Sequence, residues 1–295
     1  MPRSPNGVLA KPFLKWAGGK TQLLPQLERL FPQRFEGFHE PFVGSAAVFF
    51  RLYNLKESGE IKASLKRISL TDSNEELINC YRAVRDGIDG VIGWLVEHKA
   101  NHNARYYYKV RAQNPRNMGE VERAARLIYL NKTCYNGLYR VNSKGQFNVP
   151  LGRYTNPGIF DPDELRAASR ALDEVTIEVA DFREVLKRAR KGDFIYFDPP
   201  YYPLSKTAHF AQFTTDSFGD FEHQSLALLF RALDERRCQV MLTNSWTDFT
   251  YRLYRGFRRI EVKGNRRINS ATSKRGKISD MVVINRPVTL KGVAF

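Results

Sequence analysis

The stretch that most constrains this chain is Asp193-Phe194-Ile195-Tyr196-Phe197-Asp198-Pro199-Pro200-Tyr201-Tyr202, an apolar and aromatic run that meets a carboxylate and then two prolines. Its β-branched and aromatic side chains suit a strand buried on both faces, as in a parallel sheet. Neither proline nitrogen can donate to a neighbouring strand, so Pro199 and Pro200 end it. Asp198 is thereby expected at the carboxyl end of a central strand, where open α/β sheets keep their ligand crevices.

That placement suits methyl transfer to an exocyclic amine. An amine on a heteroaromatic ring is a poor nucleophile, because its lone pair is delocalised into the ring. Asp198, with a backbone carbonyl whose direction the prolines fix, can accept both amine hydrogens and turn the lone pair outward. Tyr201 can stack on the ring and hold it in line. The same four residues also serve as an ordinary strand-ending turn.

The 295 residues allow one large domain or two smaller ones, and 42% hydrophobic with 26% charged residues is an ordinary globular composition. No apolar run is long enough to span a bilayer, and Met1-Pro2-Arg3-Ser4-Pro5-Asn6-Gly7 lacks a signal-peptide apolar region, so a cytoplasmic protein is expected. Cys80, Cys134 and Cys238 are odd in number and far apart, which points away from a disulfide framework and from a zinc site. The net charge of +16 calls for a polyanionic partner, nucleic acid being the commonest for a soluble chain.

Along the chain, Lys11-Pro12-Phe13-Leu14-Lys15-Trp16-Ala17-Gly18-Gly19-Lys20 leads into a helix-like segment through about Phe31. Gly18 and Gly19 let the backbone approach a ligand, and Trp16 and Lys20 offer a flat face and a charge. Phe38 to Phe50 predicts a strand, a tight turn at Phe42-Val43-Gly44, and a helix beginning near Ser45. Ile68-Ser69-Leu70-Thr71-Asp72 predicts a second strand ending in an acid, with a helix from about Asn74 to Arg85. Asp72 is placed to bind ribose hydroxyls, or to cap that helix. The polar stretch from Lys56 to Arg67 is expected to be a surface insertion.

From about Gly87 to Asp173 the periodicity changes to helical stretches (Val91 to Lys99, Glu120 to Leu130) with polar aromatic loops, predicting an inserted second domain over residues 87–173 within a main domain of 1–86 and 174–295. Its centre, Asn131 to Tyr154, predicts a β-hairpin with its tip at Ser143-Lys144-Gly145. Such a two-stranded ribbon can enter a major groove, where an Arg reads guanine. Val175 to Phe182 predicts another strand ending in an acid and an aromatic, Asp181 and Phe182. The loop Tyr202 to Phe221 is long enough for a lid. A helix (about Phe221 to Arg236) and strands at Gln239 to Asn244, Phe257 to Lys263 and Met281 to Asn285 complete the sheet. The basic segment Arg266 to Lys277 suits phosphate contact.

Several of these motifs, in one order from Pro12 to about Asn285, resemble the alpha group of DNA adenine methyltransferases, most closely the GATC-specific (Dam-type) enzymes. They are Phe13-Leu14-Lys15-Trp16-Ala17-Gly18-Gly19-Lys20, Glu40-Pro41-Phe42-Val43-Gly44, Asn136-Gly137-Leu138, Phe147-Asn148-Val149-Pro150, Gly152-Arg153-Tyr154 and Asp198-Pro199-Pro200-Tyr201. The resemblance implies an α/β, Rossmann-like, S-adenosylmethionine-dependent methyltransferase sheet with an inserted, mostly helical target-recognition domain carrying a β-hairpin. It implies a monomeric enzyme acting on double-stranded DNA without a metal. S-adenosylmethionine would contact Trp16, Lys20, Phe42, Gly44, Asp72 and Asp198, with Asp181 and Phe182 near its adenine. Asp198, Pro199, Pro200 and Tyr201 would hold a target adenine flipped from the duplex. Lys15 and Arg140 would meet guanines, Leu138 the central bases, and Tyr135 and Asn136 the stack, with Pro150 and Arg153 also at the DNA. The turn Gly44-Ser45-Ala46 departs from the family pattern, which has glycine at its third place.

A rival reading is a metal-dependent nuclease using Asp248, Glu261 and Lys263.

Overall fold

The computed structural model describes residues 7–204, 218–263 and 279–286. The lid expected between Tyr202 and Phe221 lies largely outside the described residues, and the basic segment Arg266 to Lys277 lies wholly outside them. The architecture is mixed α/β. Strands β1 (Arg34–Phe35) and β3 (Lys62–Ala63) pair in parallel as a small separate ladder. The main sheet has seven strands: β2 (Phe38–Glu40), β4 (Ile68–Asp72), β5 (Thr176–Val179), β6 (Phe194–Phe197), β7 (Gln239–Ser245), β8 (Arg258–Lys263) and β9 (Ser279–Ile284). Their order is β5-β4-β2-β6-β7-β9-β8.

The chain divides into two compact units, one of residues 1–19, 43–61 and 70–179, the other of 20–42, 62–69 and 180–295. In the second unit the central strand follows from its composition. Ile195 and Phe197 share a face with Val240 and Leu242, because β6 and β7 are parallel with Ile195 opposite Val240 and Phe197 opposite Leu242. Leu226, Phe230 and Leu233, four and three residues apart on helix Asp220–Glu235, belong to the same buried core. Phe194 points the other way, with its ring 5.5 to 6.0 Å from those of Phe31, Phe35 and Phe38. β6 is thus buried on both faces, which explains its unbroken apolar run. β9 runs antiparallel to both β7 and β8.

In the first unit, helix Glu75–Asp86 is capped by Asn74, whose side chain accepts from Leu77 N at 3.1 Å. It packs on helix Glu120–Thr133: Arg123 bridges to Glu76, Asn79 donates to the Glu120 carbonyl, and Cys80 lies against Ala124. Residues 86 and 174, expected as domain boundaries, both lie inside this unit. Helices Ile88–Ala100 and Pro162–Leu172 belong to it, the latter capped by Asp161. Helix Ala104–Ala112 has no counterpart in the sequence reading, because only Tyr107 and Val110 of it are buried and its Arg-Tyr-Tyr-Tyr start shows little helical periodicity. Buried Arg126 terminates it by donating to the carbonyls of Val110, Arg111 and Gln113.

Two local expectations change. The helix after the Phe42 turn begins at Ala47, and Ala46 sits in front of it with φ of 53°, the left-handed conformation that glycine adopts freely. Ala46 therefore holds a backbone shape that glycine would adopt at lower cost, at a strain of roughly 1–2 kcal/mol. The predicted ribbon is irregular: antiparallel bridges join Val141 to Phe147 and Cys134 to Leu151, with Asn142 N donating to Gln146 O at 2.9 Å and Asn148 N to Arg140 O at 3.0 Å, and no continuous strand pair is formed among the described residues. At the tip, the Asn142 side chain accepts from the backbone N–H of Lys144 and of Gln146, so the turn is held by local hydrogen bonds.

Cys80, Cys134 and Cys238 are buried and free. Among the described residues no helix is long and apolar enough to cross a membrane.

Candidate active site

The register of β6 and β7 builds the core of the site. With Phe197 opposite Leu242, the next residues are Asp198 and Thr243, and the Thr243 hydroxyl donates to Asp198 Oδ1 at 2.7 Å. Lys20 Nζ lies 2.6 Å from Asp198 Oδ2, its side chain only 5% exposed against 18% for the carboxylate. The same ammonium stands 4.7 Å from the centre of the Tyr201 ring. The Tyr201 hydroxyl reaches Asp280 Oδ2 at 3.4 Å, from buried Asp280 on β9. The sequence reading gave Lys20 to the cofactor; the structure also sets it on the carboxylate.

Behind this pair lies Tyr196, fully buried, with its hydroxyl 3.1 Å from Thr243 Oγ1. Burial first, and then the Asp198 charge, push the Tyr196 phenol well above its ordinary range. It therefore remains a donor. Asn244, also on β7 and fully buried, accepts from the backbone N–H of Tyr202 at 2.9 Å and so ties down the residue after the Asp-Pro-Pro-Tyr turn. Tyr202 in turn stacks on Phe249 at 4.4 Å.

Near the same strand ends, Phe42 stacks on Phe182 with ring centres 5.3 Å apart, and Phe218 closes edge-on against Phe42 at 5.6 Å. Asp181 is exposed, caps the turn Phe182–Glu184 through Arg183 N, and pairs with the Arg183 guanidinium at 2.8 Å.

In the first unit, Trp16 lies between the Gly44 turn and Tyr139. A Cβ at Gly44, where φ is +45°, would meet Trp16 Cδ1 at 3.1 Å, so a larger residue would displace the indole. Tyr139 stacks on the other side at 5.2 Å with an interplanar angle of 23°. Tyr81 donates to the Gly44 carbonyl at 2.9 Å. Burial raises the Asp72 carboxyl, against backbone N–H groups from Asn74, Gly44 and Ser73 that lower it. Asp72 accepts from Asn74 N at 3.0 Å, so turn formation and any ligand role share one carboxylate.

A second cluster of that unit gathers the residues expected at DNA. Asn131 is fully buried and clamps the backbone of Lys15 in both directions, accepting from its N–H at 2.8 Å and donating to its carbonyl at 2.7 Å, with a further bond to Gly137 O. Gly137 has φ of +66°, and a Cβ there would sit 2.5 Å from the Lys15 side chain, so only glycine fits. Lys15 Nζ stands 4.8 Å over the Tyr154 ring. Tyr135 is held by its N–H to the Pro150 carbonyl, and Asn136 adopts a left-handed φ of 56°. Tyr135, Leu138, Val141 and Tyr154 are 38 to 49% exposed. Arg140 is exposed and aimed by Asn148, whose side chain accepts from Nε at 2.7 Å, and Arg153 is exposed beside them in sequence.

Thr243, Tyr196, Asn244, Asp280, Tyr139 and Asn131 were missed in the sequence. For β7 a signal existed: Val240-Met241-Leu242 gives way to Thr243-Asn244-Ser245, the same switch from apolar to polar that singled out Asp198. Asp248 opens a short helix, and Glu261 is exposed on β8 and bonded to Ser279. Among the described residues, no cluster of His, Cys, Asp and Glu is arranged to hold a metal ion.

Residues 16–268 match the family model described as D12 class N6 adenine-specific DNA methyltransferase. The type II methyltransferase M.MjaIII of Methanocaldococcus jannaschii is 42% identical over 93% of this chain and 99% of its own length. The type II methyltransferase M1.LlaDCHI of Lactococcus lactis subsp. cremoris is 39% identical over 95% and 97%. The DNA adenine methylase of Haemophilus influenzae is 34% identical over 93% of each chain. By the family model and by relatives that match nearly end to end, the chain belongs to the D12 class of N6 adenine-specific DNA methyltransferases.

Proposed function

We propose that this enzyme takes its methyl group from S-adenosylmethionine, acts on an adenine turned out of the duplex, and recognises GATC. The observation that carries the chemical part is the Asp198 carboxylate, held by Lys20 and Thr243 beside the Tyr201 ring. A carboxylate offers about four lone-pair sites and two are used here, so acceptor capacity remains for an amine hydrogen. Tyr201 supplies the stacking face, and Pro199 and Pro200 fix the backbone between them. A base inside the duplex cannot reach such a site, which is why flipping accompanies the proposal.

The residues suit the cofactor. Within the first unit Asp72 offers a carboxylate for a ribose diol and Gly44 a turn without a side chain, with Trp16 against it; within the second, the Phe42 and Phe182 rings offer an aromatic face. Lys20, Asp198 and Asp181, also of the second unit, are the other residues that the resemblance implies for the cofactor. When bound, S-adenosylmethionine supplies a methyl group on a positively charged sulfur, already activated for transfer. Asp198 then accepts an amine hydrogen and Tyr201 holds the ring plane, so the nitrogen lone pair faces its target.

Lys15, Tyr135, Asn136, Leu138, Arg140, Pro150 and Arg153 form the proposed DNA surface, from within residues 87–173 and the preceding loop at Lys15. The GATC assignment rests on the resemblance of these positions to the Dam-type enzymes. Mapping N6-methyladenine over a plasmid treated with the purified enzyme tests it: every GATC is methylated, and methylation at a different sequence would overturn the site assignment. Arg140→Ala is expected to lose about 1–3 kcal/mol of discrimination at one base pair. The same mapping then shows relaxed preference at a single position, and an unchanged site preference contradicts the role.

A further inference from the structure

Thr243 and Tyr196 form a relay that ends on Asp198. The Thr243 hydroxyl has a single hydrogen, and a carboxylate only accepts, so the 2.7 Å contact commits that hydrogen to Asp198 Oδ1. The 3.1 Å contact between Tyr196 and Thr243 must then run from the phenol to Thr243 Oγ1. Both side chains are fully buried. Tyr196 and Thr243 belong to adjacent parallel strands whose register is set by Tyr196 opposite Met241 and Phe197 opposite Leu242, so the rigid sheet fixes the direction of the donated bond. Lys20 holds the other oxygen, at 2.6 Å.

We propose that Thr243, backed by Tyr196, is a positioning residue for methyl transfer: it fixes the rotation of the Asp198 carboxylate so that a free lone pair faces the substrate amine. Two donors on different oxygens define the carboxylate plane, whereas Lys20 alone, at the end of a flexible stem, leaves it free to turn about the Cβ–Cγ bond. A carboxylate with the right charge and the wrong plane binds substrate and turns it over slowly. The effect is therefore confined to the transfer step. This inference rests on the reading of Asp198 as the acceptor of the amine hydrogen.

The test is single-turnover methylation of a GATC duplex by the full chain, with duplex and cofactor dissociation constants measured on the same preparations. Thr243→Val keeps the shape and removes the donor; it is expected to slow the transfer step by roughly 10- to 100-fold with both dissociation constants near the parent values. Thr243→Ser restores the hydroxyl and is expected to recover most of the rate. The double variant Thr243→Val/Tyr196→Phe removes both ends of the buried bond, leaves no orphaned phenol, and is expected to fold as the parent does and to be as slow as Thr243→Val. A Thr243→Val enzyme at parental rate overturns the inference, and so does a Thr243→Ser enzyme as slow as Thr243→Val. Asp198→Ala in the same series separates the two readings. If it is inactive while Thr243→Val is unimpaired, only the positioning role fails; if it remains active, the reading of Asp198 itself fails.

Discussion

Asp198→Ala is expected to reduce single-turnover methyl transfer by roughly 10³-fold or more, while duplex binding stays close to that of the parent enzyme. The carboxylate is the group on which Lys20 at 2.6 Å and Thr243 at 2.7 Å converge, so its removal takes away the proposed amine acceptor and the anchor of both contacts together. The proposed DNA surface at Lys15, Tyr135 and Arg140 uses other residues, held by Asn131, Pro150 and Asn148. Asp198→Asn keeps the shape and replaces one acceptor oxygen by a donor amide, and the same loss of turnover is expected. In both variants Lys20 is left as a buried cation without its carboxylate, so a lower melting temperature accompanies the lost activity. Turnover equal to that of the parent in either variant would contradict the proposed chemistry.

Asp193→Ala is expected to have the largest effect on stability, about 3 kcal/mol or more of unfolding free energy. Asp193 is fully buried at the amino end of β6, the opposite end of the strand from Asp198. Its Oδ2 meets His39 Nε2 at 3.1 Å and accepts from Arg190 N at 2.8 Å, and its Oδ1 accepts from Arg67 at 2.8 Å. His39 continues the network to buried Ser69 at 2.7 Å. Gly37 makes room for it, since a Cβ there would lie 2.8 Å from Asp193 Oδ1. Alanine would leave three donors facing an empty space. Because Arg67 is 37% exposed and keeps some hydration, the loss belongs at the lower end of the range for broken buried pairs.

The same network makes stability depend on pH. Burial alone would raise the Asp193 carboxyl; the bonds from His39, Arg190 N–H and Arg67 outweigh it and hold the group below its ordinary value. A carboxyl depressed in the folded state adds stability that is present above its unfolded value of about 4 and is lost as the pH falls through the lower, folded value. Urea titrations are expected to show the parent losing stability below about pH 4, with a shallower decline for Asp193→Ala.

Much of this was legible in the sequence because the deciding signals are local. The central strand and its end at Asp198 follow from an apolar run and two prolines, and Ile68–Asp72 was bounded correctly because an acid and a capping Asn follow it. What was illegible depended on register and on side-chain packing. Nothing local says that Leu242 faces Phe197, so the Thr243 contact with Asp198 had no one-dimensional signature. Tyr139 carries no local signal beside Leu138 and Arg140, yet its ring packs on Trp16, more than a hundred residues away in the chain. The irregular hairpin had the right turn residues, with Gly145 at φ of 73°, but Asn142 satisfies the backbone locally near the tip and the pairing is left as two separate bridges.

The central claim is that the Asp198 site methylates the N6 amine of adenine within duplex GATC. The most direct measurement is transfer of labelled methyl from S-adenosylmethionine to two duplexes that differ only at that base, one carrying adenine in GATC and the other purine, which lacks the exocyclic amine. Label on the first duplex alone, recovered as N6-methyladenine, is the predicted result. Equal label on both, or none on either with cofactor bound, would contradict the claim.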